Sequence, residues 1–370
     1  MDIFGLRLRP WVKDIDGLYH PMVFDFEQSF ADKSFANSIG AWMNRWWWLS
    51  IVIAIVYIGL TFYGQMWMKT RERFELRRSL ILWNIFLALF SIFGMIRCVP
   101  EMIYNLNKEG LEYTICNRDN IYGITGFWIT VFCWSKIPEL IDTLFIVLRK
   151  QKLIFLHWFH HATVMVYALY SYHNWTASGR WFVFMNYTVH AMMYSYYAFR
   201  AMKFRIPIWV QISITVCQLL QMVVGCFVNY KAYTYKQMGN ACDVTYSNIG
   251  WSFAMYFIYF GLFLHFFCIA YFPKKKVDSK VSNTTVQERK NIQKKTEKES
   301  ITHLLSQIIQ FGVLIVSLLY SILYPVSSIM KYITWCIYGV ALIIYVRNRT
   351  VSKEKSSSFP SNLFYIKKSQ

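Results

Sequence analysis

Residues 153–170 read LIFLHWFHHATVMVYALY, and this stretch decides how the rest of the chain is interpreted. It is almost wholly apolar and approaches the length of a helix that crosses a bilayer. It also carries His157, His160 and His161, which share one face of a helix because they stand at positions i, i+3 and i+4. Ionisable groups are costly inside a membrane, so this cluster indicates a functional site rather than ordinary packing.

The composition is typical of a polytopic membrane protein. Hydrophobic residues make up 56% of the 370-residue chain and aromatic residues 19%, and the apolar residues fall in long blocks. The formal net charge is +19, with many lysines and arginines in short loops between the blocks, where cations orient membrane helices. We therefore expect an all-α protein of the lipid bilayer with no nucleic-acid partner.

The apolar blocks predict seven membrane spans in the first 276 residues. Their approximate ranges are 46–67, 79–96, 125–148, 153–170, 179–199, 209–230 and 251–271. Clusters of basic residues follow the third, fifth and seventh spans, at 149–152, 200–205 and 274–276. Because cations concentrate in cytosolic loops, this alternation predicts a lumenal N-terminus and a cytosolic end of the seventh span.

The sequence predicts five regions along the chain. They are an N-terminal polar segment at 1–45, a transmembrane domain at 46–276, a charged cytosolic linker at 277–302, an extra apolar region at 303–346 and a cytosolic tail at 347–370. Pro325 and Lys331 interrupt the extra region, which predicts two further spans joined by a tight turn. Two spans return the tail to the cytosol, where Lys367 and Lys368 would form a dilysine signal for retrieval to the endoplasmic reticulum.

Three cysteines, Cys98, Cys116 and Cys242, fall at or beyond the predicted lumenal ends of spans. In the oxidising lumen of the endoplasmic reticulum, Cys116 and Cys242 are the expected disulfide pair, because both lie in loops on the same face. Two free thiols remain an equally weighted alternative. Residues 174–176 form a glycosylation sequon, but their loop is short, so we expect it to stay unmodified.

Polar side chains recur at helical spacing inside the third, fifth and sixth predicted spans. They are Lys136, Glu139, Asp142 and Thr143 in the third, Asn186, His190, Met193, Tyr194, Tyr196 and Tyr197 in the fifth, and Thr215, Gln218 and Gln221 in the sixth. Charged groups inside a span must face a cavity or each other. The alternatives are a structural ion pair between Lys136 and Glu139, aromatic packing of the tyrosines and interhelical hydrogen bonds from the sixth span.

These groups together resemble the four signature boxes of the fatty acid elongase (ELO) family. The matching patterns are KxxExxDT from Lys136, HxxHH from His157, NxxxHxxMYxYY from Asn186 and TxxQxxQ from Thr215. They occur in the family's order, and the resemblance covers about residues 30–275. The sequences at 74–77, 148–157 and 186–191 are most similar to the animal branch that extends saturated and monounsaturated acyl chains, typically palmitoyl to stearoyl.

The resemblance implies a very-long-chain 3-oxoacyl-CoA synthase, which condenses long-chain acyl-CoA with malonyl-CoA and releases CoA and carbon dioxide. It implies seven membrane helices, six of which form an inverted barrel around a tunnel for the acyl chain. The implied partners are the two CoA substrates, the bilayer of the endoplasmic reticulum, the reductases and dehydratase of the elongation cycle, and a second copy of the chain. No cofactor or metal is implied.

The resemblance also implies roles for individual residues. His160 would be the nucleophile that forms an acyl-imidazole, His157 and His161 would orient it or relay protons, and His190 would be its partner or an oxyanion donor. Arg149 and Lys152 are the cations nearest the cytosolic mouth, where CoA phosphates would bind. The expected substrate-binding residues inside the spans are Lys136, Glu139, Asp142, Asn186, Tyr196, Thr215 and Gln218.

Two departures from the family pattern stand out. Some relatives carry basic residues near positions 211 and 269, where this chain has Gln211 and Ile269, so we expect CoA anchoring to differ from the family in detail. Elongases of this kind usually end soon after a basic tail like 274–276, whereas this chain continues for about ninety residues.

Two other functions fit part of the pattern. Di-iron desaturases and hydroxylases share the HxxHH box but need about eight histidine ligands in several boxes. This chain has eight histidines in all, and His20, His173 and His303 lie far from the cluster. A lipid transporter would also carry polar residues inside its spans, but no inverted internal repeat is apparent.

Overall fold

The computed structural model describes residues 2–3, 6–15 and 17–271, and most of them are helical. The helices are α1 (Lys33–Trp46), α2 (Leu49–Met68), α3 (Arg77–Lys108), α4 (Gly110–Cys116), α5 (Gly123–Ser135), α6 (Ile141–Leu148), α7 (Phe155–His173), α8 (Gly179–Ala201), α9 (Ile208–Gln237) and α10 (Tyr246–Tyr271). Short 3₁₀ helices lie at Asp25–Ala31, Asp119–Ile121 and Pro138–Leu140. The chain divides into two units, Met1–His265 and Phe266–Gln370. The predicted linker, the two extra spans and the dilysine pair Lys367 and Lys368 lie outside the described residues.

Four of the described helices are long and apolar enough to cross a membrane: α2, α3, α9 and α10. Each carries many exposed large hydrophobic side chains, such as Ile55, Leu82 and Phe257. Apolar surface of this extent is stable when lipid tails cover it. The four helices therefore agree with the membrane class that the composition predicts.

The third predicted span is two helices rather than one. Helix α5 ends at Ser135, Pro138 starts a 3₁₀ turn, and α6 begins at Ile141. Proline has no N–H to donate and its ring clashes with the carbonyl of the preceding turn, so an α-helix breaks there. The prediction that residues 136–143 follow one another at helical spacing within a single span is therefore wrong in detail, because a turn between two helices interrupts it.

Helix α3 is longer than the predicted second span, which ends at residue 96. It continues to Lys108 because its polar last turns are buried against other parts of the protein. Arg97, Glu101 and Asn105 are each about 3% exposed. A hydropathy pattern cannot distinguish such paired polar residues from the end of a span.

The N-terminal segment contains a small antiparallel sheet, so the prediction of an all-α protein is wrong for this region. Strands β1 (Asp2–Ile3), β2 (Leu6–Lys13) and β3 (Tyr19–Phe24) stand in that order. Gly17 makes the turn between β2 and β3 with a φ of 93°, which glycine adopts without strain. Strands β2 and β3 have only 8 and 6 residues, and each contains a proline, which weakens the alternating pattern that indicates a strand.

A buried carboxylate joins this segment to the helices. Glu27 Oε2 accepts hydrogen bonds from Arg97 Nε at 2.7 Å and from Trp128 Nε1 at 2.6 Å. The guanidinium of Arg97 also donates to the carbonyl oxygens of Pro21 and Met22, at 2.8 and 2.7 Å. We call Glu27, Arg97 and Trp128 the carboxylate latch. It connects the N-terminal segment to α3 and α5.

A second carboxylate, that of Asp14, lies at the start of α5. Asp14 Oδ2 accepts a hydrogen bond from the backbone N–H of Ile124 at 2.9 Å. This N–H belongs to the first turn of the helix, where donors have no partner within the helix and the dipole favours negative charge. The N-terminal segment therefore fixes the start of α5 as well as its middle.

Close packing joins α3, α5 and α8. Gly94 of α3 lies against the ring of Tyr187 of α8, and a Cβ at Gly94 would overlap that ring. Tyr187 is fully buried, and its hydroxyl donates to the carbonyl of Trp128 at 2.9 Å. A small residue in α3 is therefore required for these helices to approach.

Candidate active site

The three histidines of the HxxHH box lie in the first two turns of α7. The ring centroids of His157 and His161 are 4.5 Å apart, and those of His160 and His161 are 5.5 Å apart. Helix α7 begins after Ile154, whose backbone is extended. The helical spacing of the box thus gives one cluster of imidazoles.

The first histidine is held by two hydroxyl groups in series. His157 Nε2 lies 3.0 Å from Thr143 Oγ1, and Thr143 Oγ1 lies 2.6 Å from the hydroxyl of Tyr57. We call these three residues the hydroxyl chain. It fixes the orientation of the His157 ring from the start of α6 and the middle of α2.

The third histidine faces a partly buried carboxylate. His161 Nε2 lies 4.0 Å from Asp142 Oδ2. The same carboxylate accepts hydrogen bonds from Trp83 Nε1 at 2.6 Å and from the Tyr194 hydroxyl at 2.8 Å. Asp142 therefore gathers donors from α3 and α8 around the histidine cluster.

A lysine array lies on the other side of the site. Lys136 Nζ donates to Glu139 Oε1 at 2.7 Å and to Asn186 Oδ1 at 3.0 Å. Asn186 Nδ2 lies 3.1 Å from His190 Nε2. The structural ion pair that the sequence left as an alternative is present, and the same ammonium also reaches α8.

The array determines which ring nitrogen of His190 carries the proton. An ammonium only donates, so the oxygen of the Asn186 amide must face Lys136. The amide nitrogen then faces His190 and donates to Nε2, which must accept. Neutral His190 consequently carries its proton on Nδ1.

A cavity of about 80 Å³ is lined by both His160 and Asn186. Its lining comes from α5, α7, α8, α9 and α10 and is mainly apolar, with Ile129, Phe132 and Val164 among the lining residues. The ring of Tyr259 lies 5.0 Å from that of His160, centroid to centroid. Among the described residues, no side chain hydrogen-bonds the imidazole of His160.

A match to a known protein family shows which kind of protein carries this arrangement of residues. The model of the ELO family, described as GNS1/SUR4, matches residues 42–279. The chain belongs to the ELO family. The matched residues contain all four boxes, and they extend a few residues past the predicted limit of 275 while starting later than 30.

The elongase relatives of this ELO protein cover most of the described chain. It is 45% identical to very long chain fatty acid elongase 6 of Gallus gallus, over 69% of this chain and 96% of the relative. It is 46% identical to elongase 6 of Drosophila melanogaster, over 67% and 79%. It is 41% identical to elongase 3 of Homo sapiens, over 72% and 96%. The predicted resemblance is confirmed, and the protein is a polytopic membrane protein of the fatty acid elongase family.

Other residues named from the sequence lie farther along the ELO domain. Tyr196 donates to Gln211 Oε1 at 3.0 Å, and Gln218 Nε2 donates to Met193 Sδ at 3.4 Å. These bonds join α8 to α9 and do not reach the histidines. Thr215 is buried and donates to the backbone carbonyl of its own helix, four residues earlier.

The two cations predicted for CoA lie between α6 and α7. Arg149 is partly exposed, and Lys152 is exposed. They lie in the loop that leads from α6 into the histidine cluster of α7.

A disulfide joins Cys116 of α4 to Cys242, in the segment that precedes α10. The neighbouring backbone is paired as well, because Asp243 N–H donates to the carbonyl of Cys116 at 2.9 Å. Ala177 N–H in turn donates to the carbonyl of Asp243 at 2.9 Å. The disulfide thus holds α4 and the start of α10 near the start of α8.

Three aromatic residues of the site lie outside the boxes and were not predicted: Tyr57, Trp83 and Tyr259. Each has a polar atom that is bonded inside the bundle, and the Tyr259 hydroxyl lies 2.6 Å from Thr163 Oγ1. Sequence alone gives only one signal for them. A tyrosine or tryptophan within a span needs a partner for its polar atom, but the pattern does not say which.

Proposed function

We propose that this ELO protein catalyses the condensing step of fatty acid elongation, as a very-long-chain 3-oxoacyl-CoA synthase. The observation that supports this most is the cavity, which has a mainly apolar lining and is bordered by His160, whose imidazole has no hydrogen bond within the described residues, and by Asn186. An acyl chain needs an apolar channel, and its thioester needs a nucleophile and polar donors at the mouth. The elongase names of its relatives support the same reaction class.

In the proposed reaction, the first step is transfer of the acyl group to His160. A ring nitrogen attacks the thioester carbonyl, an acyl-imidazole forms, and CoA leaves as the thiol. Malonyl-CoA then loses carbon dioxide, and the resulting enolate attacks the acyl-imidazole carbonyl. The new carbon–carbon bond releases His160 and gives 3-oxoacyl-CoA.

The neighbouring groups have distinct proposed roles. His157 and His161 orient and relay protons beside His160, supported by the hydroxyl chain and by Asp142 respectively. The Nδ1–H of His190 and the amide of Asn186 are donors for the thioester oxygen, with Lys136 and Glu139 holding them in place. Tyr196, Thr215 and Gln218 contact the pantetheine arm.

The cytosolic loop would bind the CoA phosphates. Arg149 and Lys152 have no acidic neighbour in the described ion pairs, and they precede α7 where the histidines begin. Guanidinium and ammonium groups are the usual protein partners of phosphate.

The membrane arrangement is part of the proposal. Seven helices cross the membrane of the endoplasmic reticulum, six of them form an inverted barrel around the cavity, and the disulfide faces the lumen. The proposed regions are 1–45, 46–276, 277–302, 303–346 and 347–370, with two extra spans and a cytosolic dilysine signal. Reductase and dehydratase enzymes of the cycle, and a second copy of the chain, are the proposed partners.

The test is an elongation assay on membranes that contain the full chain. Palmitoyl-CoA and labelled malonyl-CoA should give labelled 3-oxoacyl-CoA, and His160→Ala and His190→Ala should abolish it. A chase without malonyl-CoA should leave a hydroxylamine-sensitive acyl group on the wild type and none on His160→Ala. Product formation by His160→Ala at the wild-type rate would refute the acyl-imidazole intermediate. Two irons per purified chain, with desaturated product, would instead indicate a di-iron enzyme.

A further inference from the structure

Two aromatic side chains of α10 flank the imidazole of His160. The centroid of the Tyr259 ring lies 5.0 Å from that of the imidazole, and the centroid of the Phe263 ring lies 6.3 Å from it. The two residues stand four apart on α10, so they are neighbours on one face of that helix. We call these two rings the aromatic clamp. Neither residue belongs to the four boxes.

A line of polar groups holds α10 against one face of α7. The Tyr167 hydroxyl donates to Asn248 Oδ1 at 2.9 Å, and Asn248 Nδ2 donates to Ser171 Oγ at 3.0 Å. Nearer the start of α7, Thr163 Oγ1 lies 2.6 Å from the Tyr259 hydroxyl. The partners on α7 recur every four residues, which places them in one stripe along the helix. The position of the clamp along α7 is therefore fixed by several bonds.

The hydroxyl pair nearest to His160 has a defined direction. The Thr163 hydroxyl donates its one proton to the carbonyl of Phe159, at 2.6 Å. Its oxygen must therefore accept the bond from the Tyr259 hydroxyl. That hydroxyl also lies 3.5 Å from the carbonyl oxygen of His160. Tyr259 is thus anchored to the turn of α7 that carries His160, and a displacement of its ring from the imidazole would break this anchor.

The imidazole of His160 needs such support because hydrogen bonds do not orient it. No described side chain hydrogen-bonds this ring, whereas the rings of His157 and His190 each have a partner. A histidine on a helix has about two accessible wells at χ1 and two ring orientations at χ2, or roughly four states. A nucleophile attacks from one of them. Packing that selects this state therefore raises the productive fraction by up to about fourfold.

We propose that Tyr259, supported by Phe263, is a positioning residue for His160, and that its ring selects the orientation from which the imidazole attacks the acyl thioester. This inference rests on the proposed function, because it takes His160 as the nucleophile. The ring supplies the orientation, and the hydroxyl holds the ring in place. The clamp therefore affects the rate of acyl transfer rather than the affinity for the substrate.

The experiment measures acyl transfer without malonyl-CoA. The full chain in lipid nanodiscs is mixed with labelled palmitoyl-CoA, and the hydroxylamine-sensitive label on the protein is followed over time. A range of palmitoyl-CoA concentrations separates the maximal rate per folded molecule from the half-saturating concentration. Tyr259→Leu should lower the maximal rate about fourfold and leave the half-saturating concentration within about twofold. Tyr259→Phe keeps the ring and should retain at least about half of the wild-type rate.

The next position of the same helix provides a matched control. Phe260 is partly buried in a hydrophobic cluster, does not line the cavity and has no ring contact with a histidine in the described part of the chain. Phe260→Leu removes a ring from α10, as Tyr259→Leu does, but should leave the maximal rate unchanged. If Tyr259→Leu does not fold, Phe263→Leu carries the comparison, with a fall of about twofold because one ring of the clamp remains.

Three results would overturn the inference while the proposed function stands. They are an unchanged maximal rate in Tyr259→Leu, an equal fall in Phe260→Leu, and a rate for Tyr259→Phe as low as that of Tyr259→Leu. A change confined to the half-saturating concentration also overturns it, because the ring would then bind substrate and not orient the nucleophile. A fall in the maximal rate in Tyr259→Leu, with both Tyr259→Phe and Phe260→Leu near the wild type, supports it.

Failure of the wild type to form any acylated chain overturns the proposed function instead. Diethyl pyrocarbonate then decides the inference without a substrate, because it modifies neutral imidazole nitrogens. Mass spectrometry of the peptide that contains His160 gives the rate of this modification. Faster modification of His160 in Tyr259→Leu than in wild type and Phe260→Leu supports the clamp, and equal rates in the three proteins overturn it.

Discussion

Replacing Glu27 with glutamine should destabilise the protein strongly, because it breaks the carboxylate latch from one side. Glu27 Oε1 accepts from the Phe24 N–H at 2.9 Å and from Arg97 Nη2 at 3.0 Å. Its Oε2 accepts from Arg97 Nε and from Trp128 Nε1. Whichever oxygen becomes the amide nitrogen of Glu27→Gln, two donors lose their acceptor, and one of them belongs to Arg97.

The magnitude follows from burial. Hydrogen bonds to charged groups contribute about 1.5–3 kcal/mol each, and breaking a buried ion pair from one side costs about 3–5 kcal/mol. The side chains of Arg97 and Glu27 are 4% and 1% exposed. The carbonyls of Pro21 and Met22 still hold the guanidinium, so we expect the lower end, about 3 kcal/mol. This corresponds to a fall in the melting temperature of roughly 6–12 °C.

An exposed ion pair nearby provides the control. Arg9 Nε lies 2.7 Å from Asp25 Oδ1, the same distance as in the latch, but these side chains are 51% and 39% exposed. Exposed pairs contribute about 0–1 kcal/mol, so Asp25→Asn should lower the melting temperature by no more than roughly 4 °C. The comparison separates the effect of burial on stability from the effect of hydrogen-bond distance.

The assay is the fraction of detergent-purified protein that remains monodisperse on size exclusion after heating. Adding Arg97→Met to Glu27→Gln removes the unpaired charge, so the double variant should be less destabilised than the sum of the single changes. Equal shifts for Glu27→Gln and Asp25→Asn, or strictly additive shifts in the double variant, would refute the reasoning.

Three other changes have expected outcomes. Cys116→Ser opens the disulfide and should cost about 2–5 kcal/mol of stability, seen as a lower melting temperature that matches reduced wild type; an unchanged melting temperature would contradict this. Gly94→Ala forces a methyl group into the ring of Tyr187 and should cost about 1–3 kcal/mol, while Gly59→Ala, which meets no neighbouring atom, should not; equal yields of folded protein would argue against the packing. Tyr57→Phe removes the outer end of the hydroxyl chain and should slow elongation about three- to tenfold without altering stability, and an unchanged rate would show that the chain does not orient the histidine.

The family and the membrane class could be predicted from the sequence, because both depend on local patterns. The box histidines are close in sequence, so helical spacing alone brings His157, His160 and His161 together. The apolar blocks likewise predict α2, α3, α9 and α10. These features need no knowledge of which helices are neighbours.

The parts that could not be predicted depend on distant contacts. Hydropathy ends the second span before Arg97, because a scale cannot register that Glu27 neutralises the arginine from far along the chain. The sheet at the N-terminus was hidden by prolines in short strands. Trp83 and Tyr57 join the site through single polar atoms, and their sequence neighbours give no sign of it.

The break at Pro138 places the first and last residues of the KxxExxDT box on either side of a turn between α5 and α6. Lys136 donates to Asn186 of α8, and Asp142, beyond the break, accepts from Tyr194 of the same helix. Both ends of the box are therefore held to α8 across the turn. A displacement of α6 that separated Asp142 from Tyr194 would also move the carboxylate relative to His161.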